Sequence, residues 1–264
     1  MSSNKTRHIL SISGGKDSAA LAIYMRDRIP DMEYVFCDTD KELPETYEYL
    51  GRLEAFLGKK INILKDSTGG FDHWLQIYGN YLPSPRMRWC TKQLKLRPFE
   101  YFVGSDPVIQ YVGIRADEDR EGYISTKPNI QSQFPFKADG LGYPDIIRIL
   151  NDSGLGLPTY YKWRSRSGCY FCFFQQKIEW VGLLEMHPEL FKIASKYEKT
   201  DDVTGKIFTW NDRESLVDLS HPDRVAKIKK DFEDRKERSN DKKTLLDLLE
   251  ADNSGNQPCL ICTL

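Results

Sequence analysis

The sequence has no apolar run approaching the ~20 residues that a membrane-spanning helix needs, which argues against a helical membrane protein. It also lacks an excess of either charge: 38 Lys and Arg stand against 39 Asp and Glu, for a net charge of −1. An overall polycation is thereby excluded, so any contact with nucleic acid must come from a local patch or a partner. Cysteine is sparse, six in 264 residues, too dilute for a secreted disulfide scaffold. The histidines at 8, 73, 187 and 221 have no metal-ligand spacing. There is no internal repeat and no low-complexity tract. Residues 1–5 carry no apolar signal-peptide region and lead within a few residues into strand-like sequence, so a cytoplasmic protein is expected. What is present is ordinary for a globular chain, 40% hydrophobic and 29% charged. At ~150 residues per domain the length suits two domains or one large α/β domain.

The first part alternates strand and helix patterns. Residues 8–13 predict a strand, followed by Gly14-Gly15 and an apolar helix through Met25. Residues 33–37 predict a second strand. Pro44 stands where a first helical residue often stands, and Tyr47, Leu50, Leu53 and Leu57 recur at helical spacing up to Gly58. Residues 61–64 and 108–114 predict two more strands. Such alternation implies an α/β fold: a parallel twisted sheet with helices on both faces. After about residue 120 the pattern changes. Residues 121–170 are rich in Gly, Pro and Tyr with a short helix signal near 144–150, and helices are predicted at 175–187, 188–199 and 222–250. The last mixes nine basic with eight acidic residues, the mark of a solvated face. The expected organisation is an α/β domain over 1–120, a cysteine-bearing loop and helical region over 121–252 packed on it, and a flexible tail over 253–264.

Ser13-Gly14-Gly15-Lys16-Asp17-Ser18 lies between a strand and a helix. Glycines there let backbone N–H groups approach phosphate oxygens, and the helix N-terminus adds a favourable dipole. The hydroxyls of Ser13 and Ser18 can donate, Lys16 can neutralise phosphate, and Asp17 suits a Mg²⁺ ligand or a helix cap. The Walker A spacing is absent. Residues 86–97 hold Arg86, Arg88, Lys92, Lys95 and Arg97 with no acid among them, a surface for nucleotide phosphates or a DNA backbone. Lys162, Arg164 and Arg166, interleaved with Tyr160, Tyr161 and Trp163, form a second positive cluster; its aromatics stack on a base or pack under the neighbouring cysteines. Arg115 and Arg120 suit paired hydrogen bonds to anionic oxygens, or pairing with Asp117, Glu118 and Asp119. Cys37 ends an apolar strand and reads as core. Cys169-x-x-Cys172 and Cys259-x-x-Cys262 read as metal or redox candidates, the tail pair also as a sulfur carrier.

Several of these segments resemble known motifs. S-G-G-K-D-S at 13–18 resembles the PP-loop of the ATP pyrophosphatase superfamily, which cleaves ATP between its α and β phosphates. Residues 38–47, D-T-D-K-E-L-P-E-T-Y, resemble a segment of phosphoadenosine-phosphosulfate reductase-like proteins, with Asp40 in place of their glycine. Cys90-Thr91-Lys92-Gln93-Leu94-Lys95 with Pro98 resembles their C-x-x-x-x-K-x-x-P. Residues 113–120 match G-x-R-x-x-(E/Q)-(S/D)-x-R, and Ser167-Gly168-Cys169-Tyr170-Phe171-Cys172 matches G-C-x-x-C. The motifs stand in that family's order over about residues 8–175. Sulfonucleotide reductases normally lack the Lys-Asp pair of the loop and carry a C-terminal E-C-G-L-H; this chain has the pair and lacks that segment. The intact loop, with Arg88-Trp89-Cys90-Thr91 and Arg166-Ser167-Gly168-Cys169, is similar to the sulfur-incorporation ATPases of DNA phosphorothioation systems, the DndC and SspD type.

The resemblance implies an adenine nucleotide alpha hydrolase-like fold, ATP and Mg²⁺ as cofactors, and catalytic roles for Lys16, Asp17, Ser18 and Arg115. Nucleotide contacts fall on Ser13, Gly14, Gly15, Lys16, Asp17, Ser18, Asp38, Thr39, Lys95, Arg115 and Arg120. Related adenylylsulfate reductases hold a [4Fe–4S] cluster with a C-C pair and a C-x-x-C about 80 residues on. Here Trp89 replaces one of that pair, leaving Cys90, Cys169 and Cys172 as metal ligands, with Cys262 a candidate fourth and zinc the alternative to the cluster. The implied partners are DNA as substrate, a cysteine desulfurase and other phosphorothioation proteins. A sulfonucleotide reductase, a tRNA thiolase and a non-catalytic nucleotide- or cluster-binding subunit remain alternatives.

Overall fold

The computed structural model describes residues 5–120, 125–200, 207–211 and 214–238. Five strands form one sheet: β1 (Arg7–Ser11), β2 (Glu33–Cys37), β3 (Ile61–Leu64), β4 (Val108–Tyr111) and β5 (Ile130–Gln133). All pairings are parallel, in the order β3-β2-β1-β4-β5. Because side chains alternate between the faces of a strand, neighbouring residues serve two cores. Leu10, Tyr34, Phe36 and Tyr111 face one core and Ile9, Val35, Cys37 and Val108 the other. Burial on both faces explains why β2 reads as an unbroken apolar run from Tyr34 to Cys37.

Helices α1 (Lys16–Met25) and α2 (Pro44–Leu57) cover the first face. Pro44 is the first residue of α2, and Gly58 ends it in the left-handed conformation at φ 63, which costs glycine little. Then come α3 (Gly70–Ile77), the short α4 (Trp89–Thr91), a π turn (Lys92–Leu96) and α5 (Arg97–Val103). Phe99 and Val103 of α5 cover the second face.

The sheet continues past the expected boundary at residue 120. Strand β5 pairs with β4, and after α6 (Pro135–Ala138), α7 (Tyr143–Asp152) lays Ile146 and Leu150 into the core under α1. The predicted strands at 8–13 and 108–114 are shorter in the structure, because the chain leaves the sheet to build the site.

A third core holds the rest: a 3₁₀ turn (Thr159–Lys162), α8 (Lys177–Met186), α9 (Pro188–Lys196), the antiparallel pair β6 (Lys199–Thr200) and β7 (Ile207–Phe208), α10 (Leu216–Leu219) and α11 (Pro222–Arg238). It is aromatic: Phe71, Trp89, Phe171, Trp180 and Trp210 pack together. Ile228 and Phe232 of α11 are buried and the charges between them exposed, as expected of a helix solvated on one side. The predicted helix beyond Arg238, the tail and Cys259 and Cys262 lie outside the described residues. Among the described residues no helix is long and apolar enough to cross a membrane.

Candidate active site

In a sheet of this order, the connections on either side of β1 and β4 run to opposite sides, leaving a crevice at the carboxyl ends of those strands. Residues 13–18 leave β1 there, and residues 112–115 leave β4. The two loops touch: a Cβ on Gly113 would lie 2.9 Å from the Asp17 carbonyl oxygen, so only a glycine permits this approach. Gly14 takes φ +75, and Gly15 is the extended N-cap of α1. Ser18 braces the turn, its hydroxyl donating to the Gly15 carbonyl at 3.1 Å and accepting from Ser13 N–H at 3.1 Å.

Asp17 is the hub of the loop. Its Oδ2 takes Lys16 Nζ at 3.1 Å and its Oδ1 takes Arg115 Nη1 at 3.1 Å. Burial alone would raise the Asp17 carboxyl, but Lys16 and Arg115 outweigh it and hold it below its ordinary value. Both oxygens of Asp17 are thus engaged by protein cations. Its work is to gather two positive charges beside the α1 N-terminus, with the Tyr143 ring 5.8 Å from Lys16 Nζ and 5.5 Å from the Arg115 guanidinium. Arg115 is also held by Asp117 at 2.9 Å and by Glu118, which pairs with Arg120. Arg120 thus stands behind Arg115 and shares the Glu118 carboxylate with it.

The segment after residue 158 closes over this loop through contacts that the sequence does not specify. Tyr160 Oη donates to the Gly14 carbonyl at 2.8 Å, Ser167 Oγ donates to Ser13 Oγ at 3.1 Å, and Lys16 N–H donates to Tyr161 Oη at 3.1 Å. A Cβ on Gly15 would come within 2.7 Å of Ser167 Oγ. The paired tyrosines pack on the loop at 13–18 itself.

Two buried side chains fix the cysteine loop. Arg164, expected in a positive cluster, is fully buried and donates to the Gly168 and Cys169 carbonyls at 2.9 and 2.8 Å. Glu179 accepts from Ser165 N–H and Oγ at 2.7 and 2.8 Å. Cys169 is thereby set against the loop after β2, its Sγ 3.1 Å from Thr39 Oγ1 and 3.8 Å from Glu42 Oε1. Burial pushes the Cys169 thiol well up, the Glu42 carboxyl adds to this, and Lys95 opposes it. Burial likewise raises Glu42, whose Oε2 lacks a partner, against the pull of Lys95. Lys95 itself is buried, unlike the other cations of its segment.

Asp38 is buried beside Thr39, accepting from Tyr47 Oη at 2.7 Å and from Asp40 N–H at 2.9 Å. Asp40 takes φ 58, the left-handed conformation that a glycine would take freely and that Asp tolerates. Cys37 is core as expected, its thiol pushed by burial to about 12.

The cysteine set is not assembled as expected. Among the described residues no group of three or more His, Cys, Asp or Glu side chains is placed to hold a metal ion. Cys90 and Cys169 pack on the aromatic core, with the Cys169 Sγ 3.1 Å from Thr39 Oγ1. The donors described therefore do not fit a cluster or zinc site.

Comparison with known proteins follows this geometry. Residues 7–138 match the family model of the phosphoadenosine phosphosulfate reductase domain. An uncharacterized protein of Methanocaldococcus jannaschii is 28% identical over 192 residues, covering 69% of this chain and 45% of that protein. An uncharacterized 37.8 kDa protein of Escherichia phage 186 is 24% identical over 255 residues, covering 74% of this chain and 75% of its own. This chain therefore spans less than half the length of the archaeal relative. Among solved structures, phosphoadenylyl-sulfate reductase from Candida auris, in a phosphate complex, superposes with a TM-score of 0.50 at 13% identity, over 62% of this chain and 82% of that one. That likeness is one of fold.

Proposed function

Since the chain belongs to the phosphoadenosine phosphosulfate reductase domain family, within the ATP pyrophosphatase superfamily, we propose that it cleaves ATP between the α and β phosphates to activate a DNA backbone phosphate for sulfur incorporation. The reading rests above all on one observation: Lys16 and Arg115 are both held by Asp17 at the start of α1. Two fixed cations, a helix N-terminus and the backbone of Gly14 and Gly15 then converge where a triphosphate would lie. Preorganised charge of this kind is the main contribution that a protein makes to phosphoryl and nucleotidyl transfer.

In this scheme a non-bridging oxygen of the acceptor phosphate attacks the α phosphorus. The bond from that phosphorus to the bridging oxygen breaks, and pyrophosphate leaves with the electron pair. A hydrosulfide nucleophile, released when a thiol reductant takes the carrier sulfur of a desulfurase persulfide into a disulfide, then attacks the acceptor phosphorus, and AMP leaves carrying the former acceptor oxygen. Lys16 and Arg115 steady the charge on the phosphoryl oxygens. Ser13 and Ser18 keep the turn in shape, Asp38 and Thr39 form the opposite wall, and Tyr160, Tyr161 and Ser167 shut out water. Mg²⁺ would travel on the nucleotide's own phosphates, and no step is routed through an iron–sulfur cluster.

The test is pyrophosphate release by the wild type and by Asp17→Ala, with single-stranded DNA and a sulfide donor present. The expected result is release by the wild type and a loss of at least two orders of magnitude in the variant, on the scale of removing a main electrostatic contact. Equal release by both would remove the loop from the reaction. Thiol-dependent sulfite release from adenylated sulfate would instead make the chain a sulfonucleotide reductase.

A further inference from the structure

The helix that begins at Trp89 carries a feature its sequence spacing hides. α4, the π turn and α5 run on without a break. On a regular helix residues four apart share a face and residues five apart do not. A π turn closes its hydrogen bonds five residues on, which brings Lys92 and Arg97 to one face, where both line the same cavity and Arg97 Nη1 donates to Gln93 Oε1 at 2.8 Å. Arg88 stands four residues before Lys92, and Tyr101 four after Arg97. The result is a single stripe, Arg88-Lys92-Arg97-Tyr101, with a cation about every 5.4 Å of helix. The same turn sends Lys95 inward, where its charge acts on Glu42 and Cys169. One helix thus faces the candidate active site with one side and the solvent with the other.

The stripe is a built surface. Arg88, Lys92 and Arg97, with Thr91, Glu100 and Thr126, line a cavity of about 320 Å³. Among the described residues these three cations enter no ion pair, and Glu100 is taken up by Lys127 at 3.4 Å. Most other arginines of the sheet domain are neutralised by carboxylates, as Arg7 is by Glu33 and Arg115 by Asp17. The Arg88 guanidinium lies over the Phe174 ring at 5.2 Å, and that of Arg166 over the same ring at 5.5 Å. This continues the positive surface from the helix to the segment that carries Cys169 and Cys172. Tyr101, at the far end, is 92% exposed, an aromatic face open to stacking.

We propose that this stripe is the docking track for a single strand of DNA, its backbone on Arg88, Lys92 and Arg97 and a base on Tyr101. The proposal rests on the reading that a DNA backbone phosphate is the acceptor, and adds where the strand lies. Unneutralised cations at a regular rise suit a polyanion with a charge at every repeat. A solvated aromatic beside them suits unpaired bases, each of which has a face to stack.

Fluorescence anisotropy of a labelled DNA strand, titrated with the full chain without nucleotide at several salt concentrations, tests it. The Lys92→Ala/Arg97→Ala variant is expected to bind more weakly, with the slope of log affinity against log salt reduced by about 0.7 for each charge removed. Tyr101→Ala is expected to weaken binding about tenfold with the salt slope unchanged. Lys229→Ala, an exposed cation on α11 paired with Glu185, leaves binding as it was. Circular dichroism of each variant shows that it is folded. Binding that survives the paired substitution, absence of binding by the wild type, or tighter binding of duplex DNA or of RNA of the same sequence would each overturn the proposal. The assay contains no ATP, so its outcome is separate from that of the pyrophosphate test: stripe-dependent binding without pyrophosphate release removes the proposed reaction and keeps the track.

Discussion

Tyr161→Phe separates the resting state of the loop from its nucleotide-bound state. The backbone N–H of Lys16 is one of the first N–H groups of α1, which have no partner within the helix. It is buried, and it donates to Tyr161 Oη at 3.1 Å. Removing the hydroxyl strands that donor, at a cost of about 1–3 kcal/mol. With about 2–4 °C of melting temperature per kcal/mol in chains of this size class, the variant should melt visibly lower than the wild type. Helix N-termini are where phosphate oxygens bind, so bound ATP would take the N–H and displace the phenol. The two proteins then differ little when saturated, and the variant's affinity for ATP rises by the same free energy, about tenfold for each 1.4 kcal/mol. Thermal unfolding across a MgATP titration reads both effects: the melting gap should be widest without nucleotide and close at saturation. Equal melting without nucleotide, or a gap that persists at saturation, would refute the idea that Tyr161 occupies a phosphate position.

Three further outcomes follow from other contacts. Gly14→Ala sets a side chain at φ +75 with its Cβ 2.6 Å from Thr46 Cγ2; the left-handed conformation costs about 1–2 kcal/mol and the overpacking about 1–3 kcal/mol more. Adding Thr46→Ser should recover the second part in urea unfolding, and identical losses in both backgrounds would count against the loop geometry. Hydrogen bonding to Arg224, with Lys177, holds the Glu214 carboxyl down to about 2, well below its ordinary value. Its contribution is therefore present above pH ~4.5 and lost as pH falls through about 2, so wild type should lose more stability than Glu214→Gln over that window; parallel acid curves would contradict this. The scatter of the cysteines, with no group of three or more His, Cys, Asp or Glu placed for a metal ion among the described residues, predicts less than one iron or zinc per chain in anaerobically purified protein. One metal ion or cluster per chain, lost in Cys169→Ser, would show that the cysteines regroup.

Strands β1 to β4 and helices α1 and α2 are legible in the sequence because each strand holds at least two apolar residues, with β2 apolar from Tyr34 to Cys37 under cover on both faces, and because Pro44 and Gly58 mark the ends of α2. Strand β5 is not legible: in Ile-Gln-Ser-Gln at 130–133 only Ile130 is apolar, and it pairs at the sheet edge. That is why the α/β layer was expected to stop at residue 120. At the site, the loop at 13–18 announces itself through glycine and charge, whereas the role of Asp17 depends on Arg115, far along the chain. Arg164 shows the limit of reading charge locally. It looks like part of a basic patch, yet the turn after Tyr160 buries it, and its guanidinium serves two carbonyls instead of a ligand. The stripe on the helix at 89–103 is hidden for a different reason, because a π turn is an offset of hydrogen bonds that composition does not encode.

The most direct test of the central claim is the identity of the products. ³¹P NMR of ATP incubated with the full chain, Mg²⁺, a DNA strand and a sulfide donor should show AMP and pyrophosphate appearing together, with a phosphorothioate signal growing in the strand. ADP and orthophosphate in their place, or a strand that gains no sulfur while AMP accumulates, would contradict the account.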